Sequence, residues 1–248
     1  MRKKFLKGGV SLYKTGRQRY EKGGGAIFYP TEIEIEIEDE GHSDHKCADV
    51  KDSRKKNNGG KQGEKNVKTG KSGGLNKNTA VVKVVLRKAL MCDVKSLYNL
   101  FLEYSKAGEM LPRSMSDIYE HLRDFYIAEI ENEDAGGEVS DTSGHAPDVI
   151  GACALTIVWE NLAEIRSLAV KRPYTRKLIG TELIKKCVEE AKFFKITSLF
   201  ALTYKPQFFQ KSGFKIIDKS ELPHKIWSDC INCVKFPDCD ETAVMLKL

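Results

Sequence analysis

The chain has 248 residues, of which 41% are hydrophobic and 31% charged, and a formal net charge of +6. That length holds one large domain or two small ones, and either buries a proper core. No stretch approaches the roughly 18 apolar residues that a spanning helix requires, which argues against a membrane-spanning protein.

The charge is unevenly distributed. Residues 1–80 carry 18 Lys and Arg against 11 Asp and Glu, whereas residues 81–248 carry 23 against 24. The basic character therefore belongs to the first third. It reads as a solvated tail, with no nucleic acid and no membrane as partner. Met1 to Arg19 is basic but lacks the continuous apolar run of a secretory signal. Seven cysteines without such a signal predict free thiols in a reducing compartment, hence a cytoplasmic protein.

Residues 1–30 are basic, Gly-interrupted and without a clear period. Between Thr31 and Glu40, Ile33, Ile35 and Ile37 alternate with glutamates, the period of a strand. With no obvious partner, this run fits either an added edge strand or repeat-like sequence without fixed structure. Residues 41–79 are rich in Gly, Lys and Asn and nearly free of large apolar side chains. Such a segment cannot bury enough surface to offset its ordering entropy, so a flexible linker is expected. The expected division is a low-complexity, largely disordered basic extension over 1–79 and one folded domain over 80–248.

Within that domain, Val81, Val82, Val84, Val85 and Leu86 predict a strand. Asp93 is the expected cap of a helix whose apolar positions are Val94, Leu97, Leu100, Phe101 and Tyr104. Met115 to Arg123 predicts a second helix, with Ser116 as its cap. Phe125 to Ile130 reads as a strand, and 131–147 as an exposed, mobile connection. Val149 to Trp159 is apolar enough for the centre of a sheet. Glu164 to Val170 alternates and ends on small apolar residues, as a half-buried strand does. Pro173 and Tyr174 break it, and Ile179, Leu183, Ile184, Cys187, Val188, Ala191 and Phe194 then form one helical stripe opened by Gly180. A strand over Thr197 to Thr203 follows, then a short helix starting at Pro206 and ended by Gly213. Phe214 to Ile217 and Thr242 to Leu248 complete the strands.

The unit from Glu164 to Gln210 organises the rest, being strand, short polar turn, helix, strand. The first turn of its helix presents unpaired backbone N–H groups and a positive dipole end, for which an anionic group, most simply a phosphate, is the natural ligand. This stretch resembles the acetyl-CoA-binding core of the GNAT superfamily of N-acetyltransferases. Four flanking motifs narrow the likeness: Gly108-Glu-Met-Leu-Pro-Arg-Ser114, Asp124-Phe-Tyr-Ile-Ala-Glu129, Leu202-Thr-Tyr204 with Phe208-Phe-Gln210, and Leu222-Pro-His-Lys-Ile-Trp-Ser-Asp229. Together they resemble the short, stand-alone bacterial N-acetylglutamate synthases over about residues 80 to 248.

The resemblance implies an α/β fold with a mixed central sheet and helices on both faces, and acetyl-CoA as co-substrate. It implies transfer of the acetyl group to the α-amino group of L-glutamate in arginine biosynthesis. Leu168, Ala169, Val170, Arg176, Lys177, Leu178, Ile179, Gly180 and Thr181 would hold the cofactor. In the family's turn, Gln or Arg is followed by two variable residues, Gly, one residue, then Gly or Ala. Thr175, Leu178 and Gly180 stand there in this chain, so only the last glycine is kept. Arg176 and Lys177 in the same loop would bring charge to the phosphates. Backbone groups of Leu168 and Val170 would polarise the acetyl carbonyl.

Glu164 would serve as general base, since an α-ammonium must lose a proton before it attacks. Its bland alternative is a strand glutamate paired with Arg166. Tyr204, at a strand end, would protonate the departing thiolate or bond the substrate, or else is a partly buried anchor. Arg113, with Arg166, is placed near the amino-acid pocket, where a guanidinium fork suits carboxylates.

Cys230, Cys233 and Cys239 lie in C-x2-C-x5-C, with His224 six residues earlier. The second ligand pair of a usual zinc site is missing, so free thiols are expected and no metal, with zinc as the minor reading. No P-loop, nucleophile elbow or G-x-G-x-x-G is present. With no cysteine in an evident nucleophile setting, direct attack in a ternary complex is expected. The competing functions are acetylation of another amine (a peptide N-terminus or lysine) and non-catalytic binding of acyl-CoA. The small-molecule partners allow either a monomer or a homodimer.

Overall fold

The computed structural model describes residues 79–130, 148–222, 231, 233 and 235–248, together with strand segments at 4–5, 11–12 and 31–38. Two short strands, β1 (Lys4–Phe5) and β2 (Ser11–Leu12), form an antiparallel ladder of their own. The chain divides into one compact unit of 1–36 and 81–248 and a second of 37–80, described only at its two ends.

The main body is an eight-stranded mixed sheet. Its strands are β3 (Thr31–Glu38), β4 (Thr79–Lys88), β5 (Phe125–Ile130), β6 (Val149–Trp159) and β7 (Leu162–Val170), then β8 (Ser198–Thr203), β9 (Lys215–Ile216) and β10 (Thr242–Lys247). The spatial order is β3-β4-β5-β6-β7-β8-β10-β9. The Ile/Glu run is thus an added edge strand, the first of its two sequence readings. The expected connection over 131–147 lies outside the described residues.

Neighbours from β4 to β7 are antiparallel, and β7 and β8 are parallel. A parallel pair needs a crossover, which is supplied by α3 (Ile179–Phe193). The sheet's faces are covered by different helices. Val94, Leu97, Leu100 and Phe101 of α1 (Val94–Lys106) join Phe125, Ile127, Ala152, Ala154 and Ala169 in one core cluster. On the other face, the Cys187 Sγ of α3 lies 3.5 Å from the Cys153 Sγ of β6. Gly151 of β6 also approaches Ile179 and Leu183 closely, and a Cβ there would lie 3.2 and 3.3 Å from their side chains. Alternation along β5 and β6 is what sends successive side chains to α1 and to α3.

Two caps differ from the sequence expectation. Asp93 makes no side-chain cap on α1. Its fully buried carboxylate instead accepts from the Leu90 N–H at 2.7 Å and from both Arg87 Nη atoms at 2.6 and 3.0 Å. Arg87 also donates to Glu129 on β5 at 2.8 and 2.6 Å, so one guanidinium fork binds β4, β5 and the entry to α1. In α2 (Met115–Glu120) the cap is Ser114 and not Ser116: its Oγ accepts from the Asp117 N–H at 3.0 Å. The extended backbone of Ser114 puts the hydroxyl within reach of that N–H, whereas Ser116 is already inside the helix.

Candidate active site

Strands β7 and β8 pair only from Leu162, Ala163 and Glu164 to Ser198, Leu199 and Phe200. Beyond Glu164 and Phe200 they diverge and leave a wedge. Its walls belong to a cleft of about 780 Å³ lined by Glu164 to Val170 and by Leu202 to Lys205. Backbone groups that a continuous sheet would pair are therefore directed at whatever enters the wedge.

The β7 wall carries a second irregularity. Ala152 pairs with Ala169 and Ala154 with Arg166, so Cys153 opposes both Ser167 and Leu168. Ser167 has φ 51°, the left-handed conformation of a β-bulge. Such a bulge frees Leu168 backbone groups from the ladder midway along the wedge. At the end of β7, Tyr104 of α1 donates its hydroxyl to the Val170 carbonyl. That contact fixes Val170 against the helix on the α1 face.

After β7 a short 3-10 turn (Arg172–Tyr174) leads to the loop before α3. Arg176 has φ 62° and Leu178 has φ 63°, ψ −1°. Leu178 thus adopts the left-handed conformation that glycine takes without steric cost. No side chain caps α3, so the N–H groups of its first turn, Ile179, Gly180 and Thr181, point into the cleft with the positive end of the helix. Space at Gly180 is short: a Cβ there would sit 3.1 Å from the Phe208 ring of α4 (Pro206–Lys211). A phosphate at this turn would meet backbone donors and the exposed Arg176.

Register assigns the side chains to faces. Glu164 and Arg166, opposite Thr156 and Ala154, lie on the α1 face, where the Arg166 Nε is 3.3 Å from the Glu164 Oε2. Phe200 pairs with Glu164, and alternation carries that face on through Leu202 to Tyr204. Counted from the last β7–β8 pair and allowing for the bulge, Ala169 and Tyr204 come level across the wedge. Arg113 enters the same side from the segment before α2, its Nη1 2.7 Å from the Asp117 Oδ2.

Burial pushes the Tyr204 phenol up to about 12, helped by the carboxylates of Glu241 and Asp240. It stays protonated and able to donate throughout the ordinary pH range. At the wedge mouth, Glu109 pairs with Arg172 beyond β7 and with Lys205 beyond β8. Hydrogen bonds from Arg172 and then Lys205 hold the Glu109 carboxyl at about 2.

Eight of the nine residues expected on the cofactor side line this cleft, as do Glu164, Tyr204, Arg113 and Arg166. Lys177 does not line it. Cys233 and Cys239 border the cleft as free thiols, and among the described residues no group of three metal-binding side chains exists. Cys230 and His224 lie outside the described residues. Sequence reasoning missed Glu109, Lys219, Glu241 and Phe208 as lining residues. Phe208 and Glu109 stood within quoted motifs, but nothing local marks Lys219 or Glu241.

Residues 94–214 match the sequence model of the Acetyltransferase (GNAT) family. An uncharacterized N-acetyltransferase of Chlorobaculum tepidum is 36% identical over 163 residues, which make up 66% of this chain and 96% of that protein. The chain belongs to the GNAT acetyltransferases. As a GNAT protein it is also 27% identical over 146 residues to the amino-acid acetyltransferase of Mycobacterium tuberculosis, covering 58% of this chain and 76% of that one. The N-acetylglutamate synthase of Neisseria gonorrhoeae, solved with coenzyme A and N-acetyl-glutamate, has the same fold at a TM-score of 0.55 and 23% identity. That match covers 66% of this GNAT chain and 35% of the synthase. Among the described residues, no helix is long and apolar enough to cross a membrane.

Proposed function

We propose that this acetyltransferase moves the acetyl group of acetyl-CoA to the α-amino group of L-glutamate. The observation that carries the reading is the pair of guanidinium groups, Arg113 and Arg166, that line the same cleft as Tyr204. A dicarboxylic amino acid offers two planar anions to two planar forks. Names of relatives support it: one is an amino-acid acetyltransferase, and one fold neighbour holds coenzyme A and N-acetyl-glutamate.

In this proposal the α3 turn and Arg176 take the cofactor's phosphates, and its arm lies in the wedge against the free backbone of β7. The acceptor approaches from the α1 face. Glu164 takes a proton from the ammonium through a chain of waters along the wedge, and the freed nitrogen lone pair attacks the thioester carbonyl carbon. Negative charge on the carbonyl oxygen is met by backbone N–H at the bulge. Collapse breaks the C–S bond, Tyr204 gives its proton to the leaving thiolate, and the second proton of the attacking nitrogen passes to the Tyr204 phenolate, directly or through water. The amide and CoA thiol are the products.

Thiol release from acetyl-CoA is the test, followed with glutamate, other amino acids, a lysine peptide and no acceptor. Release that requires glutamate supports the proposal. Release with the peptide alone assigns another amine. Binding of acetyl-CoA without release under any condition assigns a binding protein.

A further inference from the structure

The α1 face carries a second carboxylate that the reaction above leaves without a task. Glu241 immediately precedes β10 and lines the cleft. Thr242 pairs with Thr203, so the next step of the antiparallel register sets Glu241 beside Tyr204. Ala243, paired with Leu202, belongs to the core cluster with Phe200 and Leu222. Glu164, by contrast, pairs with Phe200, four residues back from Tyr204, roughly 13 Å deeper along the strand at about 3.3 Å per residue. It is also already engaged with Arg166.

The two ammonium groups near Glu241 each have another partner among the described residues. The Lys219 ammonium donates to the Cys239 carbonyl at 2.8 Å, and Lys235 lies 3.4 Å from Asp240. The hydrogen-bond contact of Glu241 is with the Cys239 thiol, Sγ to Oε2 3.9 Å. Burial pushes the Glu241 carboxyl up, Lys219 and Lys235 act against that, and neighbouring Asp240 adds to it. A carboxylate so desolvated gains when a cation is brought to it. The far side of the same cleft is cationic, with Arg113 and Arg166.

We propose that Glu241 binds the acceptor's ammonium group, so that an amino acid lies across the α1 face with carboxylates at Arg113 and Arg166 and its amine beside Tyr204. The proposal names a binding group on the acceptor, and it rests on the acetyltransferase reading given above. It makes the site selective for a zwitterion, with charge of one sign at each end. It also brings the amine to the side of the wedge that holds the phenol, whose hydroxyl now bonds Asp240 and would turn to the leaving group.

The test compares an amine with its deaminated counterpart on the same variant. In wild type and Glu241→Gln, KM is measured for glutamate, and the inhibition constant for glutarate, which has both carboxylates and no amine. Loss of a charged hydrogen bond predicts that KM for glutamate rises about ten- to a hundredfold. Glutarate inhibition should stay the same or strengthen, and Glu241→Asp should recover part of the glutamate affinity. Equal weakening of both ligands, or no change in either, overturns the proposal. If wild type instead acetylates a different amine, the glutamate reading has failed. Glu241 is then judged by the same ratio for that amine and its deaminated analogue. Acetyl-CoA binding with no transfer to any amine overturns both.

Discussion

At the residue scale, Leu178 shows a side chain held in a conformation it does not favour. A left-handed L-residue costs roughly 1–2 kcal/mol, while glycine gives back about 0.5–1 kcal/mol through its freer unfolded chain. Leu178→Gly should therefore raise stability by up to about 1 kcal/mol and tighten acetyl-CoA, read by thermal melting and by titration with the cofactor. A lower melting point would mean that the half-buried leucine contributes more by packing against the start of α3 than its backbone costs. Arg113 is the second residue to change. It already bridges Asp117, so a substrate carboxylate shares or displaces that partner. Arg113→Ala should lower kcat/KM for glutamate by about ten- to a hundredfold, chiefly through KM for glutamate and not for acetyl-CoA. Arg113→Lys should recover little, because it keeps the charge and loses the fork. Equal damage with an amine lacking carboxylates would remove the carboxylate role.

Elements meet at Glu109, which connects the loop after α1 to the ends of β7 and β8 through Arg172 and Lys205. Past Glu164 and Phe200 those two strands share no ladder, so this carboxylate is a latch across the open end of the wedge. Its pKa is depressed from 4.5 to about 2. The latch's contribution is therefore complete above the unfolded value and fades as pH falls from about 4.5 toward 2. Wild type should melt above Glu109→Gln near neutral pH, and the gap should close through that acid window. Since all three side chains are partly exposed, the gap is expected to be small and to shrink with added salt. A gap that persists at pH 2 would mean that the glutamine variant perturbs packing and not charge.

For the whole molecule, the order of strands separates stability from chemistry. β3 lies four strands from β7, roughly 19 Å at about 4.8 Å per strand. We propose 80–248 as the transferase domain, and expect removal of residues 1–30 to leave turnover within a few-fold. Removal of 1–78 also takes β3 and bares the outer edge of β4. That form should keep its turnover per folded molecule but self-associate more readily, as seen by light scattering. Loss of turnover in the soluble fraction would place part of the first 78 residues in the site.

Much of this molecule was written locally. Apolar period gave away α1 and α3, alternation marked β3 and β7, and the strand–turn–helix unit with Gly180 located the loop before α3 that lines the cleft. These depend on neighbours within one turn or one strand, so a single sequence carries them. Ser114 could have been read as the α2 cap from its side chain and the helix that follows, but Ser116 is equally good by residue type. Only backbone geometry separates the two. Leu178 looked like a departure from the family's glycine turn, and the structure holds it in the left-handed conformation that glycine adopts freely. Tertiary structure alone decided the rest. The wedge exists because β7 and β8, 36 residues apart at Glu164 and Phe200, stop pairing there. Glu241 meets Tyr204, and Glu109 meets Arg172 and Lys205, across separations of 37, 63 and 96 residues. No local pattern encodes such meetings: they follow from sheet order and register, which the packing of the whole core selects.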